Sequence, residues 1–281
     1  RRWYGHVYAI GAVSVLGVFT KDKGKPMEKK YLVGNGFNSN QLKFFAIIAM
    51  TIDHLVSVIY PGYPKDWWII GLHIIGRLTA PTMWFMIAEG YHYTRDLKKY
   101  ISRLFLFAVI SHFAYNFAFG IPFIPFKTSV FNQTSVIWSL AWGVVAIAIT
   151  DENRCHLKQW QKTLLIMLIC VITFCSDWSC IAVMAIIYIH ANRGNLKMQV
   201  KMMMFFVSMY AIIYFFFIDK VYGIIQLFVI ICVPFMMNYN GERGKWKGMK
   251  WFFYLYYPAH LVICGIIRLL LHGNVGVMIG G

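Results

Sequence analysis

Apolar stretches close to 20 residues long recur along the whole sequence, and they constrain the fold more than any other feature. A helix needs about 20 apolar residues to cross the hydrocarbon core of a bilayer. The chain is 59% hydrophobic and 14% charged, whereas soluble domains carry about 25% charged residues. The predicted fold class is therefore all-α: a polytopic transmembrane helix bundle of about nine to ten spans with no soluble domain.

The predicted spans are apolar runs separated by polar loops. They cover residues 41–60, 67–89, 101–120, 134–150, 163–176, 178–192, 201–218, 221–238 and 251–271. Residues 3–20 form a weaker candidate for a tenth span, and Met27 could be the true start of the protein. The predicted organisation is an N-terminal segment (1–40), a transmembrane domain (41–271) and a short tail (272–281).

The basic residues give these spans an orientation. Nineteen Lys and Arg residues fall in one set of alternating loops, and three (Lys65, Lys127 and Lys220) fall in the other set. Such asymmetry places the basic loops in the cytoplasm and predicts a multi-pass membrane protein. The net charge of +16 does not indicate nucleic-acid binding, because no basic-aromatic recognition module accompanies it.

Asp53 and His54 lie side by side inside the first of these spans. An Asp at the centre of a membrane helix costs roughly 2.5–3.5 kcal/mol, and such residues usually face a protein interior or a watery cavity and act there. At about 1.5 Å of rise per residue, the pair lies about 10 Å below the outer end of its span. The sequence therefore predicts a reactive site buried in the membrane.

Three other spans carry polar groups between the midplane and the outer leaflet, and only the inside of a bundle can accommodate them together. These groups are His73 and Arg77; Ser111, His112, Tyr115 and Asn116; and Tyr256, Tyr257 and His260. Each also has a structural interpretation. Arg77 could serve only as the structural ion-pair partner of Asp53, and His73 could lie at the membrane–water interface. His112 and Asn116 could form hydrogen bonds that hold helices together. His260 could be a buried core histidine with its hydrogen bonds satisfied.

Helix geometry separates the roles of the Asp-His pair. Adjacent residues on a helix point about 100° apart, so Asp53 is not expected to orient His54 as in a catalytic triad. We expect Asp53 to pair with Arg77 or His73 on the next span. His54 would then stay neutral and face the cavity as a base.

The six cysteines show no CxxC or CxxH spacing, and no metal site is expected. Cys175 and Cys180 flank the short turn Ser176-Asp177-Trp178. They could pair if that turn faces an oxidising compartment, although ordinary helix packing is the favoured interpretation.

Four segments resemble the TraX family, the F-pilin acetylase-like bacterial membrane proteins. They are LKFFAIIAMTIDHL (42–55), GRLTAPTMWFMIAEGYHYTRD (76–96), RLFLFAVISHFAYNFAFGIP (103–122) and WFFYLYYPAHL (251–261), and DWSCIAVM (177–184) is similar to an outer turn of the family. The resemblance covers about residues 41–271. Glu89-Gly90 and the HYTRDLKKY loop are similar to the Gram-positive branch.

This resemblance implies an acetyltransferase that uses acetyl-CoA, related to the wider membrane acyltransferase superfamily. It implies a site made of His54, Asp53, Arg77, His260 and Tyr115. The type member N-acetylates the processed pilin subunit, whereas the acceptor of this chain stays open. It is expected to be an amine or hydroxyl of a pilin-like N-terminus or of another envelope protein or glycan on the outer side. Membrane lipid is the other expected partner.

The CoA phosphates need cations, which the inner loops supply. The candidates are Lys43, Arg95, Lys98, Lys99, Arg103 and Lys247, together with Lys250. Membrane orientation alone would also explain these charges.

Two other functions compete with acetyl transfer. Intramembrane Asp, His and Arg also form proton relays in transporters, but the sequence shows neither paired broken helices nor an internal repeat. The third possibility is a non-catalytic partner in a membrane assembly. Direct transfer and a covalent acetyl-His54 intermediate both remain open.

Overall fold

The structure is a computed structural model that describes residues 36–127, 129–246 and 248–277, with only the backbone of Lys250. The candidate span 3–20, the basic stretch that follows it and Lys247 lie outside the described residues. The described part is helical, with two isolated β-bridges, Phe37–Tyr239 and Thr134–Ser176.

Eleven α-helices and one 3₁₀ segment make up this part of the chain. They are α1 (Ser39–Ile59), α2 (Trp67–Gly76), α3 (Thr79–Tyr93), α4 (Leu97–Phe119), α5 (Val136–Thr150), α6 (Gln159–Thr173), α7 (Ser179–Ala191), α8 (Leu196–Phe217), α9 (Lys220–Gln226), the 3₁₀ segment (Leu227–Cys232), α10 (Val233–Met237) and α11 (Met249–His272).

Six segments of the described chain are long and apolar enough to cross a membrane. They are Ser39–Ile59, Trp67–Tyr93, Leu97–Phe119, Leu196–Phe217, Lys220–Met237 and Trp251–His272. The predicted spans 134–150, 163–176 and 178–192 correspond to α5, α6 and α7, which are apolar but only 13 to 15 residues long. Such helices rise about 20–22 Å, less than the ~30 Å hydrocarbon core. The predicted count of nine to ten spans is therefore not confirmed.

Two of the six long segments are broken, contrary to the sequence-based expectation that paired broken helices are absent. The first breaks at Arg77–Leu78, between α2 and α3. The second changes to a 3₁₀ helix between α9 and α10. Proline explains both breaks, because its ring removes a donor and clashes with the carbonyl four residues earlier. For Pro81 that carbonyl belongs to Arg77, and for Pro234 it belongs to Ile230 in the 3₁₀ segment.

The short helices form the centre of the bundle. On α5 and α7, Ala141, Val144, Ala182 and Ile186 are fully buried. Gly143 lets these helices approach closely, since a β-carbon there would meet Ile186 Cδ1 at 2.7 Å. The two helices therefore pack closely against each other inside the bundle.

Gly76 allows the equivalent close approach between α1 and α2. A β-carbon on Gly76 would overlap the carboxyl group of Asp53, whereas one on Gly71 of the same helix would meet nothing within 4 Å.

We expect Gly76→Ala to destabilise the protein by about 1–3 kcal/mol through overpacking. Gly71→Ala should be neutral or stabilising, because Ala is the better helix former. Thermal unfolding of the purified protein in detergent measures both; equal effects of the two variants would contradict this packing.

Candidate active site

The site contains an ion pair between Asp53 of α1 and Arg77, the residue that follows α2. Arg77 Nη2 donates to Asp53 Oδ2 at 2.9 Å, and His73 Nδ1 lies 2.8 Å from Asp53 Oδ1. His73, Arg77 and Asp53 are 0%, 3% and 8% exposed. The predicted cross-helix pairing of Asp53 is confirmed, with both expected partners at once. His73 is buried, so its interpretation as an interfacial residue is wrong.

Arg77 also ties the first broken segment to the second. Its Nη1 donates to Gln226 Oε1 at 2.9 Å, and its Nε donates to the carbonyl of His73 at 3.2 Å. The guanidinium lies 5.8 Å from the ring centroid of Trp178. Three helical segments and the turn before α7 therefore meet at this one cation.

His54 points away from this cluster and forms a separate hydrogen-bond chain. Its Nδ1 lies 2.8 Å from Nε2 of His260, and Nδ1 of His260 lies 3.1 Å from the carbonyl oxygen of Tyr256. A carbonyl can only accept, so His260 carries its proton on Nδ1. A neutral His260 then accepts on Nε2 from the Nδ1–H of His54. The lone pair of His54 is left on Nε2, which is the arrangement a general base needs.

A cavity brings the two clusters together. It has an empty volume of about 660 Å³, a figure that includes open solvent. The ionisable groups that line it are Asp53, His54, Arg77, Tyr115, Asp177 and Tyr257. The apolar part of the lining includes Met50, Met83, Leu140 and Phe253.

Helix N-termini also converge on the cavity. Val136 and Ile137 at the start of α5, Thr79 and Ala80 at the start of α3, and Trp178 before α7 belong to its lining. None of these three helices has a side-chain hydrogen bond at its N-cap, whereas α1, α4 and α8, which begin at the basic loops, do. Helix N-termini carry partial positive charge, which these three helices direct toward the cavity.

Asp177 and Trp178 were missed as site residues by the sequence reasoning, which treated their turn only as a connection. Trp178 (φ 62°) and Ser179 (φ 50°) both adopt left-handed backbone conformations, which are costly for residues with a β-carbon. The signal in the sequence was one acidic residue between two apolar runs. Such a residue is usually solvated in a loop that lies outside the membrane; here the shortness of α6 and α7 places it in the cavity.

The other predicted residues take different positions. Tyr115 lines the cavity, and His260 reaches it through His54. His112 and Asn116 hydrogen-bond to the carbonyls of Phe123 and Pro122, so they hold the loop after α4. All six cysteines are free, so the pairing of Cys175 with Cys180 is absent.

The predicted cofactor cations lie at the inner ends of the helices. Arg95, Lys98 and Lys99 are exposed, and Lys43 and Arg103 are half-buried. None of these five described residues lines the cavity. Lys43 precedes His54 by eleven positions on α1, which corresponds to a rise of about 16 Å. Met50 and Phe253 belong to the cavity wall.

Comparisons with known proteins place this chain in a family. A family model described as "TraX protein" matches residues 38–268. The "Probable fimbrial assembly protein FimC, serogroup H1" of Dichelobacter nodosus is 27% identical over 244 residues, which cover 81% of this chain and 94% of that protein. No solved structure matches.

The ion pair predicts strong coupling between its two members. Asp53→Asn should leave the buried guanidinium without a counter-charge and destabilise the protein by about 3–5 kcal/mol, and Arg77→Gln should do the same to the carboxylate. The double variant should lose clearly less than the sum of the two single losses. Thermal unfolding in detergent gives the three values, and additive losses would show that the two charges do not depend on each other.

Proposed function

Because the chain belongs to the TraX family, we propose that it is an integral membrane acetyltransferase of the bacterial cytoplasmic membrane. It moves an acetyl group from cytosolic acetyl-CoA to an amine or hydroxyl acceptor. The observation that carries this proposal is the hydrogen-bond chain from His54 through His260 to the carbonyl of Tyr256, in a cavity that Arg77 and three helix N-termini also line.

His54 acts as the general base. Its Nε2 takes the proton of the acceptor as the acceptor attacks the thioester carbonyl. His260 holds the imidazole by its Nδ1–H and fixes the tautomer, and the carbonyl of Tyr256 fixes His260 in turn. The resulting imidazolium then gives its proton to the departing CoA thiolate.

The cavity wall stabilises the tetrahedral oxyanion. The available donors are the hydroxyls of Tyr115 and Tyr257, and the N-terminal ends of α5 and α7 add partial positive charge. Arg77 adds positive charge, although three of its N–H groups are already engaged. Such donors act most strongly in a dry site. A covalent acetyl-His54 intermediate is the alternative route.

The donor enters from the inner side. Lys43, Arg103 and the exposed cations at the start of α4 (Arg95, Lys98 and Lys99) would hold the CoA phosphates. The pantetheine arm would then pass Met50 and Phe253 to reach His54. A methionine in this wall suits a narrow passage because its side chain is flexible.

The acceptor enters from the outer side, where the loop before α5 and the turn before α7 meet the cavity. The relative from Dichelobacter nodosus is named as a probable fimbrial assembly protein. We therefore propose that the acceptor is a pilus or fimbrial subunit, or another component of the cell envelope.

The broken segments favour a second candidate function, a proton-coupled transporter. Many transporters place their sites where two discontinuous helices meet near the midplane. Here the two broken segments are joined by the hydrogen bond from Arg77 to Gln226. Asp53, His54 and Asp177 would then carry protons instead of serving a transfer reaction.

Removing His54 separates these functions. In membranes supplied with labelled acetyl-CoA and envelope acceptors, we expect His54→Ala to reduce acetyl transfer by about 10²–10⁴-fold, the usual contribution of general acid–base catalysis. His260→Ala should cause a smaller loss, because the His54 imidazole remains and loses only the hydrogen bond that orients it. His156→Ala is the matched control, since His156 is exposed on the loop before α6.

Equal labelling by wild type and His54→Ala would refute the role of His54. A wild-type protein that transfers no acetyl group to any acceptor, while it dissipates a proton gradient in vesicles, would support the transporter instead.

A further inference from the structure

The cavity holds a second carboxylate, Asp177, which the mechanism above does not use. Backbone hydrogen bonds fix its turn against the segment before α5: Gln133 N to Cys175 O at 2.7 Å and Asp177 N to Thr134 O at 2.9 Å. Ser139 of α5 hydrogen-bonds to Ser176 and to the carbonyl of Ser179. The half-buried side chain of Asp177 is therefore held in the cavity wall by a rigid turn.

The charges in the cavity do not balance. Asp53 and Arg77 neutralise each other in their ion pair, and His54 and His260 are neutral in the tautomers assigned above. The other ionisable groups that interact electrostatically with Asp177 are phenols, which are uncharged at neutral pH; they are Tyr115, Tyr210, Tyr214 and Tyr257. When Asp177 is ionised, the cavity carries one unmatched negative charge.

A buried carboxylate without a counter-charge takes up either a proton or a cation. Burial raises the pKa of Asp177 to about 7, even though Arg77 opposes the shift. A carboxyl group in this range exchanges protons readily with an α-amino group, whose ordinary pKa is about 7.7–8.0.

The proton balance of acetyl transfer distinguishes two classes of acceptor. A hydroxyl acceptor gives up one proton, which a single base passes to the CoA thiolate. An amine acceptor arrives as an ammonium ion and must give up two protons to become an amide. The cavity contains two groups suited to this task, His54 and Asp177.

We propose, on the basis of the proposed acetyl transfer, that Asp177 binds the acceptor as a primary ammonium ion and takes the first of its two protons. Asp177 would thereby select an amine acceptor over a hydroxyl compound.

The step is balanced. The ammonium passes one proton to the Asp177 carboxylate and becomes a neutral amine. The amine nitrogen attacks the thioester carbonyl while His54 Nε2 takes the second proton, and the C–S bond then breaks. The His54 proton goes to the thiolate, and the Asp177 proton leaves to the outer solution.

Binding tests this inference independently of catalysis. The probes are a short alanine peptide with a free N-terminal ammonium and the same peptide with a hydroxyl in place of the amine, titrated against the purified full-length protein. We expect wild type to bind the ammonium peptide about tenfold or more tightly, the usual size of a charge-assisted hydrogen bond. Asp177→Asn should abolish that preference while leaving binding of the hydroxyl peptide unchanged. Asp66→Asn, on an exposed outer loop, is the matched control.

A preference for the ammonium peptide that survives in Asp177→Asn, or its absence in wild type, would overturn the proposal. A preference that depends on Asp177 in a protein without any acetyl transfer would keep the cation site and refute the acetyltransferase function. Where transfer is present, Asp177→Asn should lower transfer to the amine peptide, whereas Asp66→Asn should leave it unchanged.

Discussion

The buried contact of Asp53 with Arg77 and His73 is the interaction on which the rest of the structure depends. It lies between α1 and α2 at a point where Gly76 leaves no room for a side chain. The same arginine follows the last residue of α2, at the break that Pro81 imposes, and reaches Gln226 at the end of α9. One buried cation thus fixes the relative positions of both broken segments. Without its carboxylate partner this charge would be too costly to bury.

Because Asp53 contacts Arg77 and His73, His54 is available for another role. The next residue on a helix points about 100° away, and here that direction leads to His260 on α11. The two members of the pair therefore serve different helices: Asp53 joins α1 to α2, and His54 joins α1 to α11. The carbonyl of Tyr256 sets the proton positions of both rings. A structural ion pair and a candidate base can consequently share one turn of helix.

Much of this arrangement could be predicted from the sequence, because membrane insertion penalises polar residues strongly. The cross-helix pairing of Asp53 followed from helix geometry, and the six long segments followed from apolar length. The breaks at Arg77 and in the 3₁₀ segment did not, since a proline in an apolar run is compatible with a continuous helix, as Pro258 in α11 demonstrates. The position of Asp177 also could not be predicted, because it depends on how deeply three short helices pack.

The N-terminal ends of α5 and α7, together with Asp177 and His54, lie around one cavity. In the proposed function this is the side from which the acceptor enters. The most direct test of this account is therefore the sidedness of acetyl transfer in oriented vesicles. With labelled acetyl-CoA on the cytoplasmic face and a free-amine acceptor on the opposite face, the account predicts labelled acceptor outside and CoA retained on the cytoplasmic side. Labelling that requires donor and acceptor on the same face would contradict it.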